Sequence, residues 1–309
     1  MNLPLPADNS KNKKEFLLAL TAQVSQLAES LLTKFNQKEI KLKDIPPHKR
    51  IFLFFLTRTI KTYSAIQTLS REGYGQDTAT LIRGLLESLI SVRYILADPK
   101  IASQRAVRFV EYKWVIFRRY LPDEKEDVKK ITDSLRQELI AKKSLILEKI
   151  QEFKNKYKIT SDRALITWSG RSLRDMAKMV DRILVEEYDS TFRLSSRFSH
   201  PSIIGDSEYL NQQDGYLIFY PSPSNIGIAD NLKAATHYML EFIAIFDNLF
   251  NLQQTEHIAR RRQKAADQFK EEDKIIPKSS HDPSGDSPKS NADGIIIRFH
   301  DPSEESTSP

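Results

Sequence analysis

Residues 77–97, DTATLIRGLLESLISVRYILA, are apolar at nearly every helical angle, and no other stretch constrains the fold as much. A helix without a wet face has to be surrounded, so this run predicts the centre of a multi-helix bundle. The neighbouring segments supply the surround. Glu15 to Asn36 sets Phe16, Leu20, Val24, Leu27, Leu31 and Phe35 at spacings of three and four. After the Pro46-Pro47 break a second helix runs from His48 to Arg71, and Gly73 and Gly75 mark the turn before the central one. Asp98-Pro99 ends that helix, and Ala102 to Leu121 follows with Val107, Val110, Trp114, Phe117 and Leu121 on one stripe. Ser172 with Asp175 fits a capping box opening a helix over 173–187. A last core helix over 228–252 aligns Leu232, Ala235, Met239, Phe242, Phe246 and Leu249.

The fold class is therefore all-α, which nine glycines in 309 residues also favour. The expected organisation is a disordered lead at 1–14, one bundle over 15–255, and a basic helix end and disordered tail over 256–309. Within the bundle, 124–157 is densely charged with a thin seam of Val128, Ile131, Leu135, Ile146, Ile150 and Phe153. It is expected to protrude as an arm or a protein-binding helix. Residues 201–227 form a loop or hairpin insertion in which Tyr216 to Tyr220, after Gly215, is the candidate strand. After Lys274 the composition turns to Ser, Pro, Asp and Lys, too polar for a core. One short run, Gly294 to Phe299 (GIIIRF), departs from that; it suits strand addition to a partner's sheet edge, though so permissive a pattern reads first as a vestigial or weakly docking tail.

Several chemistries are unsupported. There is no cysteine, so disulfides, thiolate zinc sites and cysteine nucleophiles drop out, which suits a reducing cytoplasm. Prolines stand where a signal peptide would need an apolar run. IFLFFLTRTI and YMLEFIAIFDNLF are short and interrupted by charge, so no membrane span is expected. No phosphate-binding glycine loop, nucleophile elbow or paired-histidine metal motif occurs, so neither metal nor cofactor is expected. The net charge of +6 is uneven: residues 273–309 hold seven acids against four bases, leaving +9 on the first 272. A basic body is compatible with RNA as a partner.

Polar chemistry concentrates in Tyr188 to Ser202, YDSTFRLSSRFSHPS. Read as a helix, it aligns Arg193, Ser196, Arg197 and His200 on one face, with Pro201 as the stop. Arg193 and His200, about 10 Å apart along such a face, suit phosphate binding and proton transfer. A helix-end imidazole equally serves to cap carbonyls. On the central helix Arg83 and Glu87, four residues apart, are expected to pair, either fixing a helix crossing or lining a charged cavity. Tyr112 and Trp114 read first as packing residues.

Together TATLIRGLLESLISVRYILADP, RFVEYKWV and the helix ending RFSHPS resemble a bacterial family of all-helical domains of unknown function, over roughly residues 50–250. Such domains are similar in plan to the HEPN (higher eukaryotes and prokaryotes nucleotide-binding) superfamily. That resemblance implies a helical bundle, frequently a homodimer, and a metal-independent ribonuclease of a defence or toxin system. The superfamily's hallmark is an arginine and a histidine separated by four to six residues. Arg193 and His200, with six residues between them, fit it as the catalytic pair, with Arg83, Glu87, Tyr112, Ser196 and Arg197 in support. Leu194 departs from the pattern, standing where the ribonucleases commonly carry a polar residue. Two readings stay open: an RNA-directed ribonuclease, and a non-catalytic helical module that binds a protein or a small ligand.

Overall fold

The computed structural model describes residues 9–121, 137–138, 140–161, 165–192, 210–213, 216–219, 223, 227–275 and 295–297. The chain is all-α in class, and among the described residues there is one small three-stranded sheet. Its helices are α1 (Asn9–Asn36), α2 (Pro47–Glu72), α3 (Gly75–Leu96), α4 (Ala102–Glu111), α5 (Lys113–Arg118), α6 (Lys143–Lys156), α7 (Leu173–Lys178), α8 (Arg182–Glu187), α9 (Ile228–Phe250) and α10 (Thr255–Ile275). Strands β1 (Leu210–Gln213), β2 (Tyr216–Phe219) and β3 (Ile295–Ile297) form the sheet. The chain divides into two compact units, 1–39 with 56–89 and 187–309, and 40–55 with 90–186.

In the first unit α1 and α9 pack together, and α10 packs on α9. Leu17, Leu31, Ile82, Leu86, Met239, Phe242 and Ile243 are each no more than 1% exposed. The all-round apolar character of the central helix thus has the expected cause. Phe35, Phe246 and Phe250 close one end, with ring centroids 4.7–5.5 Å apart. The buried Tyr63 hydroxyl lies 3.3 Å from Thr21 O and 3.4 Å from Thr236 Oγ1, and burial pushes its pKa well above the usual phenol value. At the far end of α9, Lys38 Nζ donates to Phe250 O (2.9 Å) and Asn251 O (2.8 Å), answering carbonyls that have no helical partner.

The turn from α9 to α10 holds Asn251 and Gln253 in left-handed backbone, φ 50° and 59°. Asp247, only 4% exposed, organises it: Oδ1 accepts from Gln254 N (2.9 Å) and Oδ2 from Thr255 Oγ1 (2.7 Å). Here the sequence reading stopped short, since it ended the last core helix at 252 and the bundle at 255, leaving only a basic helix end beyond. Thr255–Ile275 is a full helix that buries Ile258 and Ala265.

The second unit is held by an aromatic chain in which Phe55 meets Phe109 (5.1 Å), Phe109 meets Trp168 (5.3 Å) and Trp168 meets Tyr94 (5.7 Å). Arg93 Nη1 pairs with Asp181 Oδ2 at 2.9 Å, while Asp181 Oδ1 accepts Leu184 N at the start of α8. The capping box is present: Ser172 Oγ accepts from Asp175 N at 3.1 Å. The helix it opens is interrupted at 179–181 rather than continuous to 187.

Three further boundaries shift. Helix α1 starts at Asn9 rather than Glu15, because the polar run after Pro6 is still helix-compatible. The expected 102–121 helix pauses at Tyr112. The arm is docked where it is described: Ile146, Ile150 and Phe153 are buried, and Trp114 and Leu121 pack against the first two. A thin apolar seam is enough when α5 offers a matching one. Arm residues 122–136 and 139, the lead at 1–8, and the tail outside 295–297 lie outside the described residues.

Strands β1 and β2 are the expected hairpin, antiparallel with Leu210 opposite Phe219. Helix α1 also contains a stretch not singled out above, Lys13–Asn36, that is long and apolar enough to cross a membrane by length and composition. In the structure its Leu17, Leu20, Val24, Leu27 and Leu31 are buried.

Two stability outcomes follow. Asp247→Ala removes two hydrogen bonds at a buried turn and should cost about 1–3 kcal/mol in urea unfolding; an unchanged midpoint would show that the turn holds without it. His48 Nδ1 lies 2.8 Å from Ser103 Oγ, and burial, helped by Lys49, lowers its pKa below 6.5. The folded state therefore disfavours the charged ring, so this contribution to stability is complete above pH 6.5. It declines as pH falls through 6.5 toward the lower folded value. His48→Gln should flatten that part of the unfolding midpoint's dependence on pH.

Candidate functional site

The first unit contains a cavity of about 500 Å³ between α9, α10 and the chain at 187–191. Its origin lies in the spacing of two helices. Along α9, Lys233, His237 and Glu241 recur every four residues, which puts them on one stripe of a helix whose other faces are buried. Along α10, Arg262, Ala265, Ala266 and Phe269 recur at three and four. Two alanines facing α9 leave room that larger side chains would fill.

The third wall is Glu187 and Thr191. Glu187 ends α8, and the chain then passes through a π-helical turn, Tyr188–Phe192. Such turns carry one residue more than an α-helical turn and recur at functional sites.

His237 Nε2 lies 2.8 Å from Glu187 Oε1, with the imidazole about half exposed and the carboxylate 21% exposed. The carboxylate fixes the ring's orientation and favours the tautomer with hydrogen on Nε2, which leaves Nδ1 as the other ring nitrogen for proton exchange. Arg262 Nη2 is 2.6 Å from Glu241 Oε1 and 3.3 Å from Leu240 O, while its Nε is buried with no hydrogen-bond partner among the described residues. Lys233 Nζ stands 5.8 Å from the centre of the Phe269 ring. Beneath His237 is Tyr238, ring centroids 5.5 Å apart, whose pKa burial raises despite a hydrogen bond from the Thr191 side chain; the Glu187 charge raises it further.

The cavity thus combines an imidazole oriented by a carboxylate, two cations of which Arg262 is paired with Glu241, the Thr191 side chain, and apolar or aromatic walls beside them. That set can exchange a proton, hold an anion and cover a flat apolar group. Among the described residues no three histidine, aspartate or glutamate side chains converge as metal ligands.

The sequence-derived site residues are dispersed. Arg83 and Glu87 do pair, Nε to Oε1 at 3.2 Å, side chains 25% and 40% exposed, and neither lines the cavity. Tyr112 lies in the second unit, 7% exposed. Its hydroxyl is 2.6 Å from Leu165 O and 2.8 Å from Ile166 O and accepts from Arg119 Nη2. Arg193, Ser196, Arg197 and His200 lie outside the described residues. His237 belongs to no paired-histidine motif and its partner Glu187 is fifty residues away, so sequence reading did not single it out. The four-residue stripe of Lys233, His237 and Glu241 on an apolar helix was the available signal.

If the His237–Glu187 pair serves chemistry rather than folding, it contributes little to stability. A double-mutant cycle of Glu187→Gln and His237→Ala should give a coupling of about 0.2–1 kcal/mol, as for exposed pairs. A coupling of about 3 kcal/mol or more would mark it as structural.

No curated protein and no solved structure gives a significant match to this chain. The model of a family of unknown function, DUF5677, matches residues 49–217, more than half of the sequence, a span that ends within β2 and includes Arg83, Glu87, Tyr112, Arg193 and His200. This chain belongs to that family.

Proposed function

We propose that this chain is an RNA-directed helical domain that cleaves its substrate without a metal. The observation that carries the reading is the His237–Glu187 pair at 2.8 Å in a cavity also lined by Lys233 and Arg262. Cleavage of RNA at a 2′-hydroxyl needs a base to remove the hydroxyl proton, cations to hold the phosphate, and an acid for the leaving group. The 2′-oxygen then bonds to phosphorus, the bond from phosphorus to the 5′-oxygen breaks, and that oxygen takes up a proton. An imidazole oriented by a carboxylate suits either proton transfer. Two residues beyond Thr191, on the cavity wall, the sequence reaches Arg193 and then His200. In this reading Arg193 and Arg197 hold phosphate and His200 makes the second proton transfer. The uneven charge, +9 over the first 272 residues, supports a polyanionic substrate.

A second reading is a non-catalytic module that binds a small, mainly apolar ligand. It is favoured by Ala234, Leu240, Ala265 and Ala266 in the cavity wall and by a volume typical of small-molecule sites.

The test is incubation of the purified chain with RNA in EDTA, beside His237→Ala and His200→Ala. The ribonuclease reading expects cutting by the wild type and a loss of about 100-fold or more in each variant, with melting temperatures little changed. Intact RNA with the wild type sinks that reading. Ligand-dependent thermal stabilisation that His237→Ala or a filled cavity (Ala266→Phe) abolishes, without cutting, selects the small-ligand module.

A further inference from the structure

The sheet order is β1-β2-β3, so β2 is the middle strand and is paired on both sides. Its second partner comes from far along the chain. Ile295, Ile296 and Ile297 run antiparallel to it, opposite Phe219, Ile218 and Leu217. The tail segment whose composition suits strand addition is paired here with this chain's own hairpin.

We infer that the outer edge of β2 is an acceptor site for an extended peptide rich in β-branched residues. Its occupant is the tail strand of the same chain, docked reversibly. Composition gives the reason for an occupant. The β1 strand, Leu-Asn-Gln-Gln, presents an edge sequence that tolerates water, whereas β2 reads Tyr-Leu-Ile-Phe. An open edge of that composition is a template for uncontrolled strand pairing, and covering it is the usual remedy. Three consecutive isoleucines have the strand propensity to do so.

Reversibility follows from magnitude. Only three register pairs hold β3, so pairing exceeds the entropy lost in ordering the strand by a small margin at most. The tether favours this tail over an untethered strand. Nineteen residues separate Ile275 from Ile295, which gives an effective concentration on the order of millimolar. A second copy at micromolar concentration competes poorly with that. When the tail leaves, the same edge accepts a strand of like chemistry from elsewhere, so the tail gates a strand-addition surface.

Hydrogen exchange of the full-length protein, read by mass spectrometry over residues 216–219, tests this. Ile296→Pro removes an amide donor and disfavours the strand, while Ile296→Val keeps the β-branched shape. The expected result is about tenfold or more faster exchange in the proline variant, wild-type exchange in the valine variant, and the same helical circular dichroism in all three. A synthetic GIIIRF peptide at millimolar concentration should restore protection to the proline variant. Unchanged exchange in Ile296→Pro, or no rescue by the peptide, overturns the acceptor site. Protection that rises with protein concentration would assign the occupant to a second copy and overturn docking within one chain.

Discussion

A helix buried on nearly every side can be stable only if each polar group it carries finds a partner, and α9 is organised around that constraint. Thr236 returns its hydroxyl to Leu232 O and meets the Tyr63 hydroxyl. Asp247 is spent on the turn to α10, and the last carbonyls take the Lys38 ammonium. Asn231 donates to Gly75 O and Thr78 Oγ1, both at 2.7 Å, so the start of α9 is tied to the start of α3. These bonds are individually worth about 0.5–1.5 kcal/mol, but leaving any of the buried groups unanswered costs more than making the bond gains. The apolar surface sets how much of the helix is buried. The polar contacts set which residues meet.

The same logic explains where the cavity lies. Polar residues that are not consumed by the interior recur on α9 every fourth position, at Lys233, His237 and Glu241, and so gather on one line. A second helix must cover that line, yet charged groups resist close apolar contact. Helix α10 meets it with Ala265 and Ala266 flanked by Arg262 and Phe269, which leaves space and supplies a counter-charge to Glu241. Chemistry and incomplete packing share one cause.

Much of the helical plan was legible because it depends on local period and local punctuation. The Ser172 cap, the Gly215 hairpin and the largely apolar 77–97 helix are each written within a few residues. What was not legible depends on partners distant in sequence. The thin seam of 143–156 looked too weak for a core until Trp114 and Leu121 were placed beside it. Helix α10 read only as a basic helix end because its buried apolar positions are few, Ile258 and Ala265. Glu187 and His237 become neighbours only through the fold. The Arg83–Glu87 pair, by contrast, is a local i,i+4 contact and was read correctly.

The π-helical turn at Tyr188–Phe192 has a consequence for how the cavity wall of this chain can change. One residue advances a helix by about 100°, so gaining or losing the extra residue re-aims every side chain downstream while leaving the upstream helix untouched. Glu187, before the turn, stays committed to His237, whereas Thr191, within it, is re-aimed by a single-codon insertion or deletion. A lineage could thereby trade one presented face for another in one mutational step, without first disassembling the core that supports it.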